Sequence, residues 1–143
     1  MPLTAPEIRS RRRARARALQ ALYAWDLVPG AGLVRVGERL FADLAVGPAE
    51  RAFAAPILAR AAEDLAAIDE DLAAITTNWR LERLSAIDRS VLRMAAAELR
   101  IGNTPPVTVI KEAIHLAERF GTDSSARFVN GVLDALARRL GRI

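Results

Sequence analysis

The sequence predicts an all-α bundle, and three observations carry that prediction. Apolar residues recur every three or four positions through most of the chain, and helix-start and helix-stop residues stand at the ends of these runs. No convincing period-two alternation interrupts the series; Val107-Thr-Val-Ile110 alone can be read either way. At 143 residues the chain lies near the commonest domain size and can bury roughly two-thirds of its unfolded surface, so residues 1–143 are expected to form one compact domain.

The elements follow in order. Thr4-Ala-Pro-Glu7 has capping-box spacing with a proline in the first turn, so a first helix opens near Thr4 and runs to about Leu27, before Pro29-Gly30. On a helical wheel Ile8, Leu19, Leu22 and Trp25 share one broad side, and Arg9, Arg13, Arg17 and Gln20 share the opposite, solvent-facing one. Arg11 and Arg15 fall on the apolar side, so either the ordered helix starts after them or that end overhangs the core; an overhang, free to reach a ligand, is expected. Residues 33–45 form a short amphipathic segment ended by Gly47-Pro48. A third segment runs from about Ala49 to Ile75; its apolar positions Leu58, Ala61, Leu65, Ile68, Leu72 and Ile75 step by 3, 4, 3, 4 and 3, with Pro56 marking a kink or a late start.

After Thr76-Thr77-Asn78-Trp79, a fourth helix spans Ser85 to Ile101, with Ser85 and Asp88 spaced as cap and third residue and Gly102-Asn103 closing it. Pro105-Pro106 introduces a fifth helix through Ile110, Ala113, Ile114 and Ala117, ending at Gly121. A sixth opens at Asp123 or Ser124 and buries Val129, Val132, Leu133, Leu136 and Leu140. No repeat of 20–50 residues is visible, which argues against a solenoid.

Charge is the most informative feature for function. Net charge is +4, but six arginines fall within nine residues: Arg9, Arg11, Arg12, Arg13, Arg15 and Arg17. Such a block on a helix is an electrostatic footprint for phosphate. Lys111 is the only lysine among 21 basic residues, so part of the arginine count is compositional habit, whereas the clustering is not. Arginine's planar fork grips phosphate bidentately and stacks on bases. Without cysteine there are no disulfides, thiolate metal sites or cysteine nucleophiles. The N-terminus lacks the ~7–15-residue apolar core of a signal peptide, and no segment approaches the ~20 apolar residues that span a bilayer; a cytoplasmic, non-membrane protein is expected.

Motifs for chemistry are absent, and no catalytic residue, metal or cofactor is expected. His115 is the only histidine and reads as a surface or half-buried structural residue. At least one of Ser124 and Ser125 reads as a helix cap. Asp69, Glu70 and Asp71 point in different directions on a helix and read as a solvated face. Neither a Walker-type loop nor a Gly-x-Gly-x-x-Gly turn is present.

Five blocks in this order carry a family resemblance: Arg11-Arg-Arg-Ala-Arg15 with Gln20-Ala-Leu-Tyr23-Ala-Trp25; Asp88-Arg-Ser-Val-Leu-Arg-Met-Ala95 with Glu98-Leu99; Pro106-Val with Glu112-Ala113; Phe120-Gly121; and Phe128-Val-Asn-Gly-Val-Leu-Asp134. Together they resemble the NusB family of transcription antitermination factors, over the first helix and nearly all of residues 79–134; residues 28–75 match only in apolar pattern. The resemblance implies about six to seven helices in two packed helical subdomains, about 1–78 and about 79–143. It implies a non-enzymatic role in antitermination of ribosomal RNA operons, through the single-stranded boxA element of the nascent leader RNA and the ribosomal small-subunit protein NusE. Other Nus factors and RNA polymerase would be reached indirectly.

By the same resemblance, the RNA surface joins the first helix to the start of the last, which nominates Arg11, Arg12, Arg13, Arg15, Gln20 and Tyr23 with Arg127, Phe128 and Asn130. The fourth and fifth helices would face the ribosomal partner, with Asp88 an acidic contact. Single-stranded RNA recognition does want arginines on phosphates and an aromatic or guanidinium plane for a splayed base. Each residue also has a structural reading. Tyr23 and Trp25 sit beside leucines as core positions, with the Tyr23 hydroxyl reaching the surface, and Phe128 precedes Val129 and Val132. Asn130 can serve backbone groups where Gly131 lets another helix approach, and Asp88 can cap a helix. Two other readings stand beside antitermination: a NusB-like accessory domain of an RNA cytosine methyltransferase, which would continue into a βαβ domain, and a scaffold whose basic helix forms a homodimer.

Overall fold

The computed structural model describes residues 2–28, 30–76 and 80–143. The expected stop at Pro29 and the subdomain boundary near 78/79 lie outside the described residues. Seven α-helices are present among those described: α1 (Ala5–Leu27), α2 (Leu33–Asp43), α3 (Pro48–Glu63), α4 (Leu65–Ile75), α5 (Ala86–Ile101), α6 (Pro106–Phe120) and α7 (Ser125–Arg139), with a single 3-10 turn at Leu81–Arg83. No strand occurs among the described residues, and Val107–Ile110 is helical.

Helix boundaries follow the capping chemistry. Thr4 Oγ1 accepts from the Glu7 amide at 3.2 Å while Glu7 Oε2 accepts from the Thr4 amide at 2.8 Å, a closed capping box. Ser85 Oγ accepts from the Asp88 amide at 3.1 Å and starts α5. Gly102 ends α5 in the left-handed conformation at φ 80°, which a residue with a Cβ adopts only under strain. At α7 the caps differ from expectation: Ser124 occupies the N-cap position without a side-chain cap bond, and Ser125 Oγ instead takes the Thr122 amide at 3.0 Å.

The long third segment is two helices. It breaks at Asp64, with φ −101° and ψ 15°, and not at Pro56, which lies inside α3. Pro56 is tolerated because the Ala52 carbonyl it deprives of a donor lies on the exposed face, where water can serve it. Asp64 faces Arg60 Nη1 at 3.6 Å and Arg100 Nη1 at 3.4 Å, so the break is held by charge. The change of direction places two aspartates of α4 against other helices. Asp69 takes a paired contact from Arg93 at 2.9 Å, and Asp71 accepts from Arg100 and Arg139, each at 2.9 Å. These two are therefore interhelical ties, not members of a solvated face.

Helix α5 is the centre of the molecule. Every residue from Ser90 to Leu99 is buried, and α1, α3, α4, α6 and α7 all pack on it. Its middle has no solvent-facing side, and its Ala95-Ala-Ala97 run lets neighbours approach closely. The expectation that this helix faces a partner thus fails for its middle; only its ends reach the surface. Its buried charges are paired: Arg93 bridges Asp26 and Asp69, and Glu98 holds Arg15. Helix α2 packs on α1 and α3, where a Cβ at Gly37 would overlap Leu58 Cδ1. Gly131 has no neighbour within 4 Å of a built Cβ, so the expected helix approach beside Asn130 does not occur among the described residues.

Candidate nucleic-acid interface

The arginine run is divided by helix geometry into residues with different jobs. Arg15 points inward from α1: its side chain is 4% exposed, and its Nε and Nη2 donate to the two carboxylate oxygens of Glu98. Arg11, one turn earlier, lies half-buried with its guanidinium 4.9 Å from the Phe53 ring of α3, and Arg15 shares that ring at 4.9 Å. The overhang expected for Arg11 and Arg15 is therefore corrected. The apolar face of α1 is covered there by α3 and α5; both guanidinium groups stack on Phe53, and that of Arg15 is also paired with Glu98. Ile8, expected on the core side, is exposed, because the cover begins only one turn later.

The remaining arginines face outward. Arg12 Nε contacts both oxygens of Glu112 on α6, at 3.2 and 3.1 Å, and Arg13 Nε donates to Glu50 Oε1 on α3 at 2.6 Å. Arg17 Nη1 donates to Gln20 Oε1 at 3.0 Å, one turn along the exposed face. Arg9 is exposed. Helix α1 thus packs on α2, α3 and α5 and is tied to α6 by the Arg12–Glu112 pair, while about half of the Arg12 and Arg13 side chains stays in solvent.

Between α1 and α6 runs a groove of about 590 Å³, floored by Leu19, Leu116 and Ile87, the last from the first turn of α5. Its rim carries Arg12, Arg13 and Arg17 on one side and His115 and Arg119 on the other; no acidic side chain among the described residues lines it. Two exposed aromatic residues lie along it, Tyr23 and Phe120. Arg119 lies over the Phe120 ring at 5.0 Å. Tyr23, read from sequence as a core position with its hydroxyl at the surface, is 37% exposed. Trp25 is the inward aromatic, with Nε1 donating to the Ala31 carbonyl at 2.8 Å. A cationic rim, an apolar floor and exposed rings suit a phosphate backbone whose bases are unstacked.

The structure brings Arg12, Arg13, Gln20 and Tyr23 to this groove but not the other expected half. Arg127, Phe128 and Asn130 lie on the first turns of α7, beyond the Gly121–Ser124 turn, and none lines the groove. Arg127 and Asn130 are exposed, and Phe128 is half-buried against the core. Asp88 sits in the first turn of α5 beside Ile87, half-buried, its Oδ1 without a hydrogen-bond partner among the described residues. The α6 wall was missed from sequence. Lys111, His115 and Arg119 recur at steps of four and are all exposed, a polar stripe that could have been found as the α1 stripe was, and its His115 and Arg119 line the groove.

Among the described residues no cluster of three or more acidic or histidine side chains could hold a metal ion, and no helix is long and apolar enough to cross a membrane.

Comparisons agree with this architecture along almost the whole chain. Residues 12–138 match the family model described as NusB family. The transcription antitermination protein NusB of Sorangium cellulosum is 42% identical over 130 residues, covering 90% of this chain and 92% of that protein. That of Anaeromyxobacter dehalogenans strain 2CP-1 is 43% identical over 133 residues, covering 91% and 92%. Among solved structures, T. maritima NusB superposes with a TM-score of 0.83 at 34% identity, covering 90% of each chain. A structure of antitermination factors NusB and NusE in complex with dsRNA gives a TM-score of 0.82 at 25% identity, covering 92% of this chain and 98% of that one.

Proposed function

This chain belongs to the NusB family, and from that premise we propose that it is an RNA-binding transcription antitermination factor acting with the ribosomal protein NusE on the boxA element of ribosomal RNA leaders. The observation that carries the reading is the groove between α1 and α6: arginines on both rims, no acidic lining, and Tyr23 and Phe120 exposed along it. Phosphates lie on Arg9, Arg12, Arg13 and Arg17, and splayed bases stack on the two rings. Gln20 offers an amide to a base edge or ribose. Arg127, Phe128 and Asn130 extend the surface beyond the Phe120 end of the groove, across the turn into α7. Arg11 borders the surface through its Phe53 stack, whereas Arg15 is internal and takes no part.

Asp88 contacts the NusE partner at the exposed end of α5. No chemical step is assigned to the protein, which works in the cytoplasm where leader RNA is made. Its helices act as two packed subdomains, about 1–78 and about 79–143.

The test is an anisotropy titration of boxA-like, scrambled and duplex RNA, with and without NusE, at two salt concentrations. The single-stranded boxA-like RNA is expected to bind most tightly, and NusE to tighten it further. Equal affinity for all three RNAs in both settings overturns the reading. Arg12→Glu with Arg13→Glu should weaken binding and flatten the salt dependence by about 0.7 in log–log slope per lost phosphate contact.

A further inference from the structure

We propose that Glu112 and Glu50 set the selectivity of the basic surface by occupying Arg12 and Arg13 in the free protein. The inference rests on the RNA-binding reading above. The two carboxylates come from α6 and α3, on opposite flanks of α1, and meet adjacent arginines. In each pair the acid is the anchored partner: the Glu112 and Glu50 side chains are 10% and 16% exposed, those of Arg12 and Arg13 51% and 58%. Glu50 is further fixed in the first turn of α3, where the helix dipole favours a negative charge.

Both contacts use the arginine Nε alone. The two Nη groups of each guanidinium make no hydrogen bond among the described residues, so each arginine presents one oriented edge to solvent. A phosphate gripped bidentately needs two adjacent N–H groups, and with Nε taken the edge that remains is Nη1 with Nη2. The carboxylates therefore do two things at once. They cancel charge that any polyanion would otherwise exploit, and they fix the direction from which Arg12 and Arg13 accept a phosphate. RNA seated in the groove by its bases brings phosphates to those edges in register. RNA that cannot seat gains only from charge and meets a surface where that charge is partly compensated.

Replacing the acids by Gln keeps their size and leaves an amide oxygen that still accepts from Nε, so thermal melts should stay close to those of the parent. In titrations of boxA-like RNA and scrambled RNA of the same composition, E50Q with E112Q is expected to bind the scrambled RNA at least about threefold tighter while boxA-like RNA changes less, so that discrimination falls. In an Arg12→Gln, Arg13→Gln background the same two replacements should leave discrimination unchanged. Equal tightening toward both RNAs, no change toward either, or the same shift without the arginines overturns the inference. A parent protein that does not distinguish the two RNAs overturns the RNA reading itself.

Discussion

Arg15 and Glu98 form a two-bonded ion pair at the interface of α1 and α5: Nε and Nη2 donate at 2.9 and 2.6 Å, and both side chains are 4% exposed. A buried pair of this kind contributes little net stability against an apolar replacement, yet removing one partner strands a charge. Arg15→Ala is therefore expected to cost about 3–5 kcal/mol in denaturant unfolding, and Arg15→Met with Glu98→Leu to recover most of that loss. Arg12→Ala, on a pair half in solvent, should cost no more than about 1 kcal/mol.

Acid stability should follow the Asp26 node. Burial pushes the Asp26 carboxyl up, but hydrogen bonds and charge from Arg89, then Arg93, outweigh it and hold its pKa below the ordinary carboxylate value. A carboxyl with a folded pKa below its unfolded one contributes stability above the unfolded value and loses it as pH falls through the folded one. Burial also pushes the Asp71 carboxyl up, but hydrogen bonds and charge from Arg139 and Arg100 together hold it below its ordinary value, so it behaves likewise. Melting temperature is expected to hold level from neutral pH to about pH 5, then fall as pH drops below about 4. Asp26→Asn should melt lower at neutral pH and show a shallower acid slope.

Helix α4 depends on charge more than its neighbours do. Asp71 ties it to α5 through Arg100 and to α7 through Arg139, and of its eleven residues only Ile68 and Leu72 are buried. Asp71→Asn should speed amide exchange in Leu65–Ile75 by about tenfold, on the order of 1 kcal/mol of local stability, and leave α5 protected.

Tyr23 and Phe120 should separate binding from folding. They are 37% and 45% exposed, so alanine at either position should move the melting temperature little. Loss of a stacking ring should weaken single-stranded RNA binding by about 1–3 kcal/mol each, about 5- to 150-fold, read by titration.

What the sequence made legible was set by local chemistry. Thr4-x-x-Glu7, Ser85-x-x-Asp88 and Gly102 each act within one turn of backbone, and all three behave in the structure as their spacing implies. The break at Asp64 was hidden because the apolar seam runs through it without a change of step; what turns the chain there is charge on Arg60 and Arg100, the latter 36 residues away. Arg11 and Arg15 were misread for the same reason. A wheel shows that they face inward, but not that Phe53 waits there to stack on both and Glu98 to neutralise Arg15. The groove was half legible: the α1 stripe stands out by density, whereas Lys111, His115 and Arg119 are spread over nine positions of α6 and gain meaning only once α5 sets that helix across from α1.

In the proposed complex, single-stranded RNA lies in the groove between α1 and α6. Amide chemical-shift mapping during titration with boxA-like RNA tests it most directly. Saturable shifts are expected at Arg12, Arg13, Arg17, Tyr23, His115, Arg119 and Phe120, with α2 and α4 left unmoved. Shifts confined to α2 or α4, or none at all at RNA concentrations where anisotropy reports binding, would contradict it.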